Sequence, residues 1–145
     1  MKANGVPLHV VTAYLPPQQN LAENTAFVES LKEMLESCSN LLMVGDFNYP
    51  NISWHSYTAS CAYNSYFLDL INESGLHQFV QEPTRELNIL DLCIASNNNM
   101  IENLKIHDNF STSDHAYFTC EMLDYGKLEM TVKVGIIILI SPIGN

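Results

Sequence analysis

The sequence predicts an α/β (α+β) fold on three observations. A β-rich run, Leu8–Tyr14, is halted by Leu15-Pro16-Pro17, and an amphipathic helical pattern follows from Leu21 to Ser37. A buried-type apolar run, Leu41–Val44, then stops at Gly45. Strand, helix and strand in succession lay a helix on a sheet. The chain has 145 residues, 47% hydrophobic and 15% charged, which is a one-domain length with enough apolar material for a core.

Each element has its own signal. In the first helix Phe27, Leu31 and Leu35 fall at i, i+4 and i+8, with Val28 and Met34 widening the stripe. Residues 49–62 read as a polar, aromatic-studded loop. Asn64 to Glu73 reads as a short helix with Phe67, Leu70 and Ile71 on one side and Gly75 as its C-cap. A short strand at Leu76–Val80 follows, then the turn Glu82-Pro83-Thr84-Arg85 and a strong strand at Ile89–Ala95. Leu104–His107 and Tyr117–Met122 supply two more strands. Within the tail 124–145, the run Val134–Ile140 is too short to span a bilayer and fits a further buried strand, though it is also an aggregation-prone window.

Charge and cysteine usage set limits. Sixteen acidic residues against six basic ones give a formal net charge of -10, the wrong sign for tight non-specific binding to a phosphate backbone, and Arg85 is the only arginine. Cys38, Cys61, Cys93 and Cys120 form no Cys-x-x-Cys pair, and no His pair stands at zinc spacing, which argues against a structural zinc site. The first residues carry no apolar signal core. The thiols therefore read as reduced and the protein as intracellular, in nucleus or cytoplasm.

Several polar residues interrupt apolar strands. Asp46 and Asn48 follow the strand at 41–46, and in an extended chain i and i+2 project to the same side. The same residues also suit an Asx-rich turn. Asp91 lies among Ile89, Leu90, Leu92, Cys93 and Ile94, where a carboxylate is costly unless a His, a backbone group or a metal partners it. Ser113-Asp114-His115 stands before the Tyr117 strand. Tyr14 closes the first strand, a position more often held by a core or rim aromatic than by a catalytic group.

Taken in order, Tyr14-Leu15-Pro16-Pro17, Val44-Gly45-Asp46-Phe47-Asn48-Tyr49-Pro50-Asn51-Ile52-Ser53-Trp54, Gln81-Glu82-Pro83-Thr84-Arg85, Ile89-Leu90-Asp91-Leu92 and Ser113-Asp114-His115 resemble the endonuclease/exonuclease/phosphatase superfamily. More closely, they look like the apurinic-endonuclease-type domain of LINE (non-LTR) retrotransposon reverse-transcriptase polyproteins. That resemblance implies a four-layer α/β/β/α sandwich and metal-assisted phosphodiester hydrolysis of DNA. It implies that Asp46 orients or deprotonates the attacking water and that Asn48 helps hold water and phosphate. His115 would contact a phosphate oxygen as imidazolium, and Asp91 would fix its ring and favour its charged form. Asp114 would ligate Mg²⁺ or Mn²⁺, and the Tyr14 hydroxyl would touch the phosphate.

The chain also departs from the family pattern. The strands before the equivalent of residue 8, with their early Asn and metal-binding Glu, have no counterpart. Glu23 and Glu29 lie on the helix and cannot replace that Glu, and Leu15 stands where the family usually has Arg. The expectation is a partial sandwich: residues 1–123 as the C-terminal part of the domain and 124–145 as a divergent tail, from a 5′-truncated retroelement copy. Uncovered sheet surface would favour self-association. Activity is expected to be weak or absent. The alternatives are a non-catalytic interaction module, or a phosphatase acting on a small phosphorylated substrate.

Overall fold

The computed structural model describes residues 2–3, 6–17, 19–109, 112–123, 128–133 and 136–140. In chain order they form β1 (Lys2–Ala3), β2 (Val6–Pro7), β3 (His9–Tyr14), α1 (Leu21–Ser37), β4 (Leu41–Asp46), β5 (Ile52–Ser53), β6 (Thr58–Ala59), α2 (Ala62–Glu73), β7 (His77–Gln78), β8 (Asp91–Ala95), β9 (Ile101–His107), β10 (Tyr117–Met122), β11 (Leu128–Lys133) and β12 (Ile136–Ile140). One four-stranded sheet runs β3-β4-β8-β7, with β3 and β4 parallel and the remaining pairs antiparallel. A second, antiparallel sheet runs β12-β11-β10-β9.

Side-chain alternation along β4 creates the layers. Leu41 and Met43, with Leu92 and Ile94 of β8, face the two helices and pack on Val28, Leu31, Phe67 and Ile71. Leu42 and Val44, with Cys93 and Ala95, face the second sheet and pack on Ile101, Phe118, Cys120 and Met122. The near-continuous apolar reading of β4 and β8 thus reflects burial on both faces. The described residues supply helix, sheet and sheet layers, three of the four layers of the sandwich expected from the sequence.

Capping chemistry fixes the helices. Asn20 Oδ1 accepts from the Glu23 amide at 2.8 Å while the Glu23 carboxylate accepts from the Asn20 amide at 3.1 Å, a reciprocal capping box. At the far end of α2, Gly75 takes φ +63° and the amides of Gly75 and Leu76 reach the carbonyls of Asn72 and Ile71. Tyr49 and Asn24, both buried, share a hydrogen bond of 2.7 Å that ties the loop after β4 to α1.

Some expected elements differ. The strand expected at 76–80 pairs only at His77–Gln78. One further backbone bond follows, from the Phe79 amide to the Cys93 carbonyl at 2.9 Å, and the Gln78 side chain then bonds the amide and carbonyl of Val80 off the ladder. The segment expected as loop at 49–62 contains the small hairpin β5–β6, too short to show a period. The strand at 89–95 begins at Asp91 because the amides of Leu90 and Asp91 turn to the Thr84 hydroxyl. The tail contributes β11, not anticipated, and β12, which together continue the second sheet. Of the run expected at 134–140, positions 134 and 135 lie outside the described residues.

One face of β3 is left uncovered. Val10 and Tyr14 stand beside Leu42 and Asp46 on the side facing the second sheet, yet are 42% and 62% exposed. Among the described residues no helix is long and apolar enough to cross a membrane. All four cysteines are free thiols.

Candidate active site

Three chain segments converge at one end of the interface between the sheets. Asp46 is the last residue of β4 and Asp91 the first of β8, and the two are register partners. Both share the face of Val44 and Cys93, so their carboxylates enter the gap between the sheets. His115 arrives from the other sheet, two residues before β10. All three are buried: Asp46 is 2% exposed, Asp91 4% and His115 8%.

The imidazole bridges the two carboxylates. His115 Nδ1 lies 2.8 Å from Asp91 Oδ2, a hydrogen bond in which the ring N–H donates. This is the companion that the isolated acid of β8 requires. The opposite nitrogen, Nε2, lies 3.8 Å from Asp46 Oδ2 and 3.9 Å from Asp114 Oδ1. Burial, reinforced by the facing Asp91 charge, pushes the Asp46 carboxyl up to about 6; His115, the Asn48 amide and Arg85 pull the other way.

The loop after β4 is held to both neighbouring strands. The Leu15 amide donates to the Asp46 carbonyl at 2.8 Å, and the Phe47 amide to the Leu90 carbonyl at 2.9 Å. Gly45, at φ +141°, allows β3 to approach so closely; a Cβ here would collide with the Ala13 carbonyl oxygen.

Asn48 does not project beside Asp46 in the extended manner expected. It takes φ +53°, its amide donates to Asp46 Oδ1 at 3.1 Å, and its side-chain Nδ2 donates to the Leu15 carbonyl at 3.1 Å. The Asx-turn reading of this stretch is the one realised, and the turn shapes the segment that carries the Asp46 carboxylate. Asn48 also borders a cleft of about 320 Å³ with Gln19, Asn51 and Tyr63, which none of Asp46, Asp91 and His115 lines.

Tyr14 is the register partner of Asp46 in β3 and stands exposed at the rim. Asp114 is also at the rim, with its side chain 67% exposed, and forms an ion pair of 2.8 Å with Arg85. Ligand atoms of Asp46, Asp91 and His115 lie within 4.8 Å of one another, a buried donor set that permits a divalent cation; Asp114 is outside that set.

Two residues near the site carried no assigned role in the sequence. Thr84 is buried, and its hydroxyl accepts from the Leu90 amide at 3.1 Å and the Asp91 amide at 3.0 Å. Its carbonyl accepts from the Ala116 amide at 2.7 Å, so one threonine holds the chain at both Asp91 and His115. Arg85, next to it, is the single arginine. The visible signal was the Pro83-Thr84-Arg85 run, but its spacing does not say where a hydroxyl or guanidinium points.

No curated protein and no solved structure matches this chain. A family model described as endonuclease-reverse transcriptase matches residues 8–119, a stretch that contains Tyr14, Asp46, Asn48, Thr84, Arg85, Asp91, Asp114 and His115. The match covers well over half of the chain and every strand end that contributes to the site. With the two four-stranded sheets, the two packed helices and the buried Asp-His-Asp arrangement, it establishes that the chain belongs to the endonuclease-reverse transcriptase family, an endonuclease/exonuclease/phosphatase-like domain of retrotransposon proteins.

Proposed function

We propose that this domain is a divalent-metal-dependent phosphodiester hydrolase of the DNA endonuclease type. The observation that carries the reading is the Asp91–His115 hydrogen bond of 2.8 Å, with Nε2 turned to Asp46 at 3.8 Å. A buried imidazole fixed by one carboxylate and facing a second is suited to acid–base and electrostatic work on a phosphate ester. Family membership supplies the class of reaction.

The donor chemistry fits a hard cation. Carboxylate oxygens dominate, and two facing carboxylates in a buried setting favour a bound positive charge. On the family resemblance we assign Mg²⁺ or Mn²⁺ to Asp114, which lies at the rim outside the buried donor set and 3.9 Å from His115 Nε2. Such an ion, when bound, neutralises phosphoryl oxygens and acidifies water.

The chain's own groups do the rest. Asp46, anchored by the Asn48 amide, takes the proton of the attacking water at its free oxygen. Asn48 keeps that turn closed through Leu15 and presents its amide to water and phosphate. Asp91 fixes the His115 tautomer, and His115, when protonated at both nitrogens, donates Nε2–H to a non-bridging phosphate oxygen. The Tyr14 hydroxyl, exposed beside Asp46, reaches the same phosphate from the rim. Turnover is expected to be slow, because no glutamate joins the donor set among the described residues.

A second reading keeps the fold without turnover, as a binding module. The pairing of Asp114 with Arg85 favours it, since that carboxylate is already engaged. Nicking of supercoiled plasmid in Mg²⁺ separates the two. The enzyme reading expects nicks that vanish with chelator and in His115→Ala. Folded protein that never nicks leaves the binding module.

A further inference from the structure

The lone arginine of an acidic chain stands at the mouth of this site. Arg85 Nη2 is 2.8 Å from Asp114 Oδ2, and Asp114 Oδ1 is 3.9 Å from His115 Nε2. One carboxylate thus links guanidinium and imidazole, and the order of groups is Asp91, His115, Asp114, Arg85. Arg85 also pulls on the Asp46 carboxyl through space, so its charge is felt inside the site.

Its backbone is held as firmly as that of the buried residues. The amides of Thr84 and Arg85 both donate to the Asn88 carbonyl, at 2.9 and 3.1 Å, and the Asn88 amide donates back to Arg85 at 2.9 Å. Thr84 then pins this turn to β8 and to Ala116. The side chain remains 36% exposed, fixed at its root and open at its tip.

We propose that Arg85 is the phosphate-binding residue of this site, held by Asp114 until a cation takes that carboxylate. The inference rests on the phosphodiesterase reading above and names the group that recognises its substrate. Asp114 stands at the opening with Asp46 and Asp91 buried behind it, and an approaching phosphate meets net negative charge unless a cation answers it. A guanidinium is planar and offers paired N–H donors that match two phosphate oxygens. A carboxylate that binds a hard cation cannot keep a full-strength ion pair with arginine as well. Cation binding therefore releases the guanidinium at the place where phosphate arrives.

The test uses two titrations of the purified chain by calorimetry, one with Mn²⁺ and one with inorganic phosphate in Mn²⁺, for the parent protein, Arg85→Gln, Arg85→Lys and Asp114→Asn. Arg85→Gln is expected to tighten Mn²⁺ about two- to fivefold, the scale of one exposed ion pair released. It is expected to weaken phosphate about tenfold, the loss of one charge-assisted contact, with Arg85→Lys in between. Asp114→Asn should weaken Mn²⁺. If Mn²⁺ binds and depends on Asp114 while phosphate ignores Arg85, the assignment of Arg85 falls and the metal site stands. If phosphate falls in Arg85→Gln but Mn²⁺ does not tighten, the release by the cation is overturned and the phosphate contact remains. If the folded parent protein binds neither, both readings are wrong.

Discussion

Asp46 and Asp91 stand directly opposite each other across the antiparallel β4–β8 ladder, buried, with His115 between their carboxylates. Like charges facing each other on adjacent strands are destabilising. The arrangement persists because His115 bonds one acid and faces the other, and because neighbouring backbone contacts over-determine the geometry. The cost of the arrangement is what makes it measurable.

The first expected outcome concerns stability against pH. Folded Asp46 keeps its proton up to about 6, whereas an ordinary aspartate releases it near 3.8. Between those values the folded state binds more protons, so stability falls as pH rises through this window and the cost is complete above it. Asp46→Asn should therefore be more stable than the parent at pH 7, by on the order of 1–2 kcal/mol, with the gain fading below about pH 4. Thermal melts at several pH values read this directly. An equal or larger gain at low pH would assign the cost to something other than Asp46 ionisation.

The Asp91–His115 pair should act as one unit. Asp91→Ala is expected to reduce phosphodiesterase activity nearly as much as His115→Ala, and the double variant should be little worse than either single one. Rate measurements on plasmid nicking decide this. An Asp91→Ala protein that retains activity while His115→Ala is dead would take Asp91 out of the site.

Thr84 should be costly to lose despite never touching the imidazole. Thr84→Val keeps the shape and removes the acceptor for the Leu90 and Asp91 amides, a loss of about 1–3 kcal/mol for buried donors left unpaired. Thr84→Ser should recover most of it. The hydrogen-bonded Nδ1–H resonance of His115 in proton NMR should shift or broaden in the Val variant and return in the Ser variant. An unmoved resonance would reduce Thr84 to a packing role.

Two glycines with positive φ should differ in how much their replacement costs. Gly45→Ala drives a Cβ into the Ala13 carbonyl, and a loss above about 3 kcal/mol or failure to fold is expected. Gly75 has open space where its Cβ would be, so Gly75→Ala should cost only about 1 kcal/mol, the backbone preference alone. Comparable melting temperatures for the two variants would remove the close β3–β4 approach as the reason for Gly45.

Much of this protein was legible before any coordinates. The 3.6-residue period of 21–37 identified α1 with its bounds, and the apolar runs identified β4 and β10, because a buried face leaves a periodic trace in the chain. The anomaly of Asp91 among apolar neighbours announced that a partner must exist. The motifs in sequence order named the family that the match over 8–119 establishes. Weaker local patterns failed where side chains replace backbone partners, as Gln78 does at the end of β7 and Thr84 at the start of β8.

What the sequence by itself determined, then, is the two helices and the main strands, which follow from local pattern, and the family, which follows from the order of its motifs; the roles proposed for the acids and the histidine come with that resemblance. Tertiary structure alone decided that Asp46 faces Asp91, that His115 comes to them from the second sheet and that Arg85 closes on Asp114. It also turned Asn48 away from the extended conformation to serve the turn. These relationships join residues far apart in the chain, whose meeting depends on strand register and sheet packing, and no spacing along a single strand or helix encodes that distance.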